Sequence, residues 1–417
     1  MLLPCRYPRA WLVLALLFST AAGAEEMGLA ESLARAERYS ADLSATVYQR
    51  QALENQADTA NQLPDPQLKF GIENVPVGGS NDRRFSREGM TMKRVGIMQE
   101  YISQTKRDRK ADAIRAEADA VSANYQRLRA QLQRDTAQAW LDLALSQRAV
   151  DSAVRLAAES EQQIGVRRAG VAAGANVAAV LDARLALSAM RDTVTDARRD
   201  VALAQARLTQ LTGVAQVQPT GALPRFERLP ADVAVLTQGI SQHPEILQAR
   251  READVAQARS AQSAVAALPD VGVEVYYAQR ASGYDDMAGI MFTVDLPLFQ
   301  SQRQDKDHAA DRARTFEAND RLALAMRDHT AQLQALIARY EASQSRWRRQ
   351  TEEVLPLQRQ RIALVQAQYR SGTAGLGELL EARQALLSSE LEESRAARQL
   401  AQDWAAIRYL IPEENRL

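Results

Sequence analysis

Two hydrophobic periodicities alternate along the chain. From Leu29 to Gln62, Leu33, Ala36, Leu43 and Val47 recur at helical spacing, and the helix must stop at Leu63-Pro64-Asp65-Pro66, because proline clashes with the preceding turn. In Gln67 to Asn74 the period becomes two: Leu68, Phe70 and Ile72 alternate with Gln67, Lys69, Gly71 and Glu73, as in a strand. Pro76 to Gly89 is a polar loop, and Thr91 to Ile102 predicts a second strand with Val95, Ile97 and Tyr101 on one face. A second hairpin follows much later. Val271, Val273, Val275 and Tyr277 alternate with Gly272, Glu274, Tyr276 and Ala278, and Ile290, Phe292, Val294 and Leu296 alternate with Met291, Thr293 and Asp295, up to Pro297.

After each hairpin comes a helix of unusual length. Ser103 to Arg168 contains no proline, and Ile114, Ala118, Val121, Tyr125, Leu128 and Leu132 fall at alternating spacings of four and three, a coiled-coil seam. At 1.5 Å per residue it reaches roughly 100 Å. The counterpart, Arg303 to Arg370, contains Pro356, which should bend or break it. Such helices must pack on other long helices, either their hairpin partners (Ala175 to Leu211 and Leu376 to Leu410) or neighbouring subunits. Gly213 to Pro244, with Pro219, Pro224, Pro230 and Pro244, is a connector.

The halves repeat one another. The stretch Gln368 to Leu387, QYRSGTAGLGELLEARQALL, returns the landmarks of Arg168 to Leu187, RAGVAAGANVAAVLDARLAL, and LPD and GIM also recur. The units are residues 25–212, a first repeat of helix, β-hairpin and long helical hairpin; 213–244, the connector; and 245–417, the second repeat. Residues 1–24 predict a signal peptide: Arg6 and Arg9 precede an apolar run from Trp11 to Phe18, then Ala22, Gly23 and Ala24. Cys5 precedes that run, so it is not a lipoprotein cysteine, and the exported chain carries no thiol.

Charge is balanced, with 52 Lys and Arg against 52 Asp and Glu, so nothing argues for nucleic acid. No apolar segment approaches the ~20 residues of a membrane-spanning helix. The four strands, of about ten residues with one apolar face, instead have the length and dyad pattern of a transmembrane β-barrel. Four strands cannot close a barrel, and an open edge is not tolerated in lipid, so several chains would have to share one.

Export, duplication, two strand hairpins and two very long helical hairpins together resemble the TolC-like outer membrane factor family. The most specific part is YRSGTAGLGELLEA (Tyr369 to Ala382), similar to the family's periplasmic tip motif. LPDPQLKF and ALPDVGVEV opening strands, and DLPLF at Asp295 to Phe299 closing the last, also fit. The LPDP opening and QSQRQDK after the last strand look most like the branch serving heavy-metal (cobalt, zinc, cadmium) resistance. The resemblance implies a mainly α fold with a small β part. In a homotrimer, four strands per chain would build a twelve-stranded barrel in the Gram-negative outer membrane, and the helical hairpins a periplasmic α-barrel. It implies a passive exit duct for an inner-membrane, proton-driven RND-type pump, reached through a periplasmic adaptor and exporting divalent metal cations. The same duct could serve a multidrug pump or type I secretion. A periplasmic coiled-coil protein is the competing class, but it does not explain four alternating strands with lipid-suited faces.

By the tip motif, Glu378 and Glu381 match the acidic residues ringing the family's periplasmic entrance, and Asp182 matches Glu381 in the first repeat. Three subunits would crowd up to six carboxylates from Glu378 and Glu381 at one constriction, a cation-attracting ring. A solvated helix face is the plainer reading. Tyr369 matches a tyrosine that helps lock the closed tip, but Ala179 stands where its acidic partner is expected, and Ala374 replaces a basic residue. The turns, with Gly170 and Gly174 in one copy and Gly372, Thr373, Gly375 and Gly377 in the other, are candidates for adaptor contact.

Enzyme chemistry is not expected. His243, His308 and His329 are scattered without metal-ligand spacing, and no nucleotide or hydrolase fingerprint occurs, so no cofactor or metal site is expected. Met90, Met92, Met98, Met287 and Met291 lie in or beside strands. Methionine suits Cu(I), but barrel packing accounts for them.

Overall fold

The computed structural model describes residues 24–85, 87–171 and 177–410, with the side chains of 163–180 outside the description. Residues 1–23 of the expected signal peptide, Cys5 among them, and Gly174 therefore lie outside the described residues.

In order, the chain forms β1 (Glu25–Met27), α1 (Leu29–Tyr39), α2 (Ala41–Ala60), β2 (Gln67–Glu73), β3 (Met92–Tyr101), α3 (Gln104–Val171), α4 (Val177–Thr212) and β4 (Val217–Pro219). Then follow α5 (Val233–Gly239), α6 (Pro244–Ala264), β5 (Val271–Arg280), β6 (Met287–Val294), α7 (Gln304–Arg349), α8 (Leu355–Arg370) and α9 (Leu376–Arg408). The helix expected from Leu29 to Gln62 is two helices. Ser40 takes an extended conformation (φ −68°, ψ 113°), ends α1, and caps α2 by accepting from the Leu43 amide at 3.3 Å.

The four long strands form one antiparallel sheet in the order β2-β3-β5-β6, so β3 and β5 join the two hairpins. Leu68 pairs with Ile97, Phe70 with Val95, and Val275 with Ile290, which collects the alternating apolar residues on one face. That face is open: Phe70 is 81% exposed and Phe292 68%. The opposite face is polar and laced by ion pairs. Arg94 reaches Glu274 at 2.6 Å and Glu73 at 2.9 Å and lies over the Tyr276 ring at 3.7 Å, while Lys69 reaches Glu274 at 3.1 Å. Gly96 lets β5 approach, since a Cβ there would stand 2.8 Å from that of Tyr276.

Helix α3, 68 residues long, runs alongside α2, α4, α6 and α9. Where α3, α4, α7 and α9 meet, a buried cluster includes Trp140, Leu141, Leu208, Tyr340, Leu400 and Trp404. The connector is tied into this cluster. β4 pairs in parallel with β1, Trp140 Nε1 donates to the Met27 carbonyl at 2.9 Å, and the Tyr340 hydroxyl donates to that of Phe226 at 2.9 Å. The three-residue pair β1–β4 was not expected, because three residues are too few to show a period of two.

Where Pro356 is expected to bend or break the helix, the α-helical register is interrupted just before it. Gln350–Val354 form a π-helical turn between α7 and α8, with Pro356 in the first turn of α8. Lacking an N–H and crowding the carbonyl four residues back, proline favours such an interruption. Among the described residues no helix is long and apolar enough to cross a membrane.

Candidate functional site

The end of α8 turns into α9 through Ser371 to Gly375. The Gln368 carbonyl organises this turn, accepting from the Thr373 amide at 2.9 Å, the Ala374 amide at 3.1 Å, the Ser371 hydroxyl at 3.0 Å and the Thr373 hydroxyl at 3.1 Å. Gly372 sits at φ +80°, where a side chain would be strained. Gly375 is extended (φ −79°, ψ 163°) at the N-cap of α9. Thr373 is thus a structural element of the turn, with its hydroxyl already engaged.

Leu376 and Leu380 of α9 pack with Ala183 and Leu187 of α4, and Tyr369 packs against the same cluster. This contact brings the starts of α4 and α9 to one end of the molecule. Glu378 and Glu381 on α9 and Asp182 on α4 are all exposed there, beside buried Leu379, Ala382 and Ala183. Three carboxylates of one chain therefore decorate this end of the helical hairpins, with apolar neighbours fixing their helices. Ala374 is buried and Gly377 open. In the first repeat, Gly170 lies in the last turn of α3, and the side chain of Ala179 is outside the described residues.

Burial differs between the LLEAR segment and its repeat: Leu380 is buried where Leu181 is exposed, and the arginines differ likewise. Arg383 is 5% exposed, against an exposed Arg184; its Nη1 reaches the Ser160 hydroxyl only at 3.5 Å, and its Nε has no hydrogen-bond partner among the described residues. Burial lowers its pKa, partly countered by Glu159.

Sequence reasoning missed a charged node further along the same helices. Arg398 of α9 bridges Asp142 of α3 at 3.4 Å and Asp200 of α4 at 3.1 Å, and donates to the Ser146 hydroxyl at 3.1 Å. Burial pushes the Asp142 carboxyl up, and Arg398 only partly offsets it. For Asp200 burial acts the same way, but hydrogen bonds from Arg199 and Arg398 outweigh it and hold the carboxyl low. A lone arginine in a helix rich in arginine gives no sequence signal of such a role.

The histidines are also placed otherwise than expected. His243 and His329 are not scattered but stacked, at 4.3 Å between ring centroids. His243 caps α6, its Nδ1 accepting from the Glu245 amide at 3.3 Å, and His329 Nε2 lies 2.9 Å from Glu245 Oε2. Two remote positions on separate helices leave no local spacing to read. His308 is apart from them, beside the Ser263 hydroxyl at 3.3 Å. Among the described residues no group of three or more His, Cys, Asp or Glu could hold a metal ion.

Residues 235–411, covering most of the second repeat, match the family model described as outer membrane efflux protein. No curated protein sequence matches the chain. The fold is that of several solved channels. CusC superposes with a TM-score of 0.74 at 16% identity, covering 91% of either chain. The outer membrane protein VceC of Vibrio cholerae gives 0.70 at 16% identity over 92% of this chain and 95% of its own. The outer membrane channel MtrE of Neisseria gonorrhoeae, in its open state, gives 0.67 at 16% identity over 93% and 91%.

Proposed function

We propose that the whole chain is a member of the outer membrane efflux protein family and acts as the exit duct of a tripartite pump. It is a passive conduit rather than an enzyme. The observation that carries this is the sheet: its apolar face is exposed along all four strands, and β2 and β6 are edges with no partner among the described residues. An apolar face of that size with open edges is unstable in water and untenable alone in lipid. Three copies would pair each β6 with the next β2, closing twelve strands around the polar face of Lys69, Arg94 and Glu274, with Phe70, Ile97 and Phe292 against lipid. The α-helical hairpins, too long for a compact domain, would then hang as a hollow periplasmic barrel.

In this arrangement the loops 76–89 and 280–287 face outward and the end carrying Glu378, Glu381 and Asp182 faces the periplasm. Gathered from three subunits, these carboxylates form an acidic entrance that concentrates cations. Tyr369, Gly170, Gly174, Gly372, Thr373 and Gly375 belong to the tips that meet a periplasmic adaptor, which links the duct to an inner-membrane, proton-driven RND-type pump. The cargo is a divalent metal cation.

The deciding experiment deletes the chain and measures susceptibility to zinc, cobalt, cadmium, copper and an antibiotic panel, together with cell-associated metal. Selective loss of divalent-metal tolerance is expected. Sensitivity to drugs alone would keep the duct but assign it to a multidrug pump. Extraction of the protein by carbonate without detergent would sink the duct itself.

A further inference from the structure

The loop between β2 and β3 carries charge that the chain does not use. It holds Arg83, Arg84 and Arg87 against two acids, Asp82 and Glu88. Glu88 is occupied by Asn81, whose Nδ2 donates to it at 3.0 Å, and Asp82 lies 4.0 Å from Arg83 Nε. Arg84 and Arg87 are exposed and have no acidic partner among the described residues. The same loop exposes apolar groups: Phe85 is 54% exposed and Val77 90%.

Where β3 leaves this loop, Lys93 is paired in register between Ile72 and Gln279, and alternation puts it on the apolar face with Val95 and Ile97. It too is exposed and has no acidic partner among the described residues. A charge on a lipid-facing strand is tolerated near the interface and penalised at the midplane, so Lys93 marks headgroup level. The neighbouring loop after β5 has the opposite character. It carries Asp285 and Asp286, and Asp286 is already held by the Tyr277 hydroxyl and the Arg280 amide.

We infer that Arg84, Arg87 and Lys93, flanked by Phe85 and Val77, form a binding surface for the phosphate groups of anionic lipid in the outer leaflet. The inference rests on the membrane-spanning reading above. Guanidinium forks match phosphate oxygens in bidentate fashion, and an aromatic ring between them can enter the headgroup boundary. A neighbouring subunit is the poorer occupant. Its loop after β5 would offer three cations only Asp285 as a carboxylate unengaged among the described residues, and Lys93 points out of the sheet face rather than along its edge.

The test uses the full-length chain, isolated from the outer-membrane fraction in detergent, and fluorescent diphosphoryl lipid A as probe. Arg84→Gln, Arg87→Gln and Lys93→Gln together should weaken binding by about tenfold or more, as expected for three charges at an anionic surface. Arg84→Lys with Arg87→Lys, which keeps the charge but loses the bidentate fork, should give an affinity between those of the unaltered chain and the triple variant. Dephosphorylated lipid A should bind the unaltered chain no better than diphosphoryl lipid A binds the triple variant, and millimolar inorganic phosphate should not displace the lipid. Equal binding by the unaltered chain and the triple variant overturns the inference, as does displacement by inorganic phosphate. So does loss of the oligomer in the triple variant with lipid affinity unchanged, which would assign the cations to a subunit contact. Absence of the unaltered chain from the outer-membrane fraction would instead overturn the duct reading, so the two failures are distinct.

Discussion

The imidazole of His243 lies against that of His329 with ring planes 25° apart, one closing the start of α6 and the other standing on α7. The His243 cap requires an unprotonated Nδ1, because that atom accepts the Glu245 amide. Burial, reinforced by His329 and Arg134, lowers the His243 pKa to about 4.

Folding should therefore weaken on acidification. Between the unfolded value of 6.5 and about 4, the unfolded chain binds a proton that the folded chain refuses. Stability is complete above pH 6.5 and falls through that window, by at most about 3 kcal/mol per chain. Thermal unfolding followed by circular dichroism from pH 7.5 to 4.5 should show this loss. His243→Asn, which keeps a capping side chain without the titration, should flatten the curve. An identical pH profile in that variant would remove His243 as the cause.

Replacing Glu378 and Glu381 with Ala should reduce cation selectivity of purified channels in planar bilayers severalfold, with oligomer formation intact. Adding Asp182→Ala should reduce it further. All three side chains are exposed, so little folding energy is at stake. Unchanged reversal potentials under a salt gradient would reject the acidic entrance.

Arg398→Met should destabilise the chain by about 2–4 kcal/mol, because it leaves two partly buried carboxylates, Asp142 and Asp200, without their shared cation. The loss should be larger at pH 8 than at pH 5, since Asp142 is already raised by burial and can take a proton once Arg398 is gone. Urea unfolding at the two pH values measures both effects. Asp142→Asn in the same chain should recover part of the stability.

At the tip, Gly372→Ala should cost about 1–2 kcal/mol through backbone strain, because a Cβ there meets nothing among the described residues within 4 Å. Gly375→Ala, at a negative φ and with its Cβ 3.9 Å from Glu378 Oε1, should be close to neutral. Hydrogen exchange of the amides of Thr373 and Ala374 reports the difference, and equal protection in both variants would contradict it.

Much of this architecture is legible in residue order because two strong periodicities carry it. Strands β2 and β5 begin at Gln67 and Val271, as their alternation requires, and α3 and α9 follow the long uninterrupted helical patterns. Interruptions without proline are less visible: Ser40 breaks a helix through its own backbone angles and the cap it offers. Contacts between distant elements leave no local mark, which is why the stacking of His243 on His329, the Arg398 node and the burial of Arg383 emerge only in three dimensions. For the tip, the positions of Glu378, Glu381 and Asp182 on helix starts follow from their motif, but their convergence depends on Leu380 meeting Ala183.

The π turn at Gln350–Val354 makes the two hairpins mechanically unlike. Helix α3 carries one continuous backbone register from the sheet to its tip. On the α7–α8 side the turn inserts one extra residue, which shifts the angular phase of everything beyond it by about 100°. The face that α8 presents along Leu357 and Leu364 is therefore set by five residues beside the cluster around Tyr340, not by the helix that begins at the sheet. A single-residue deletion within that turn would leave composition and helix length almost untouched, yet would rotate the entire α8 surface, and with it the turn that aims Glu378 and Glu381.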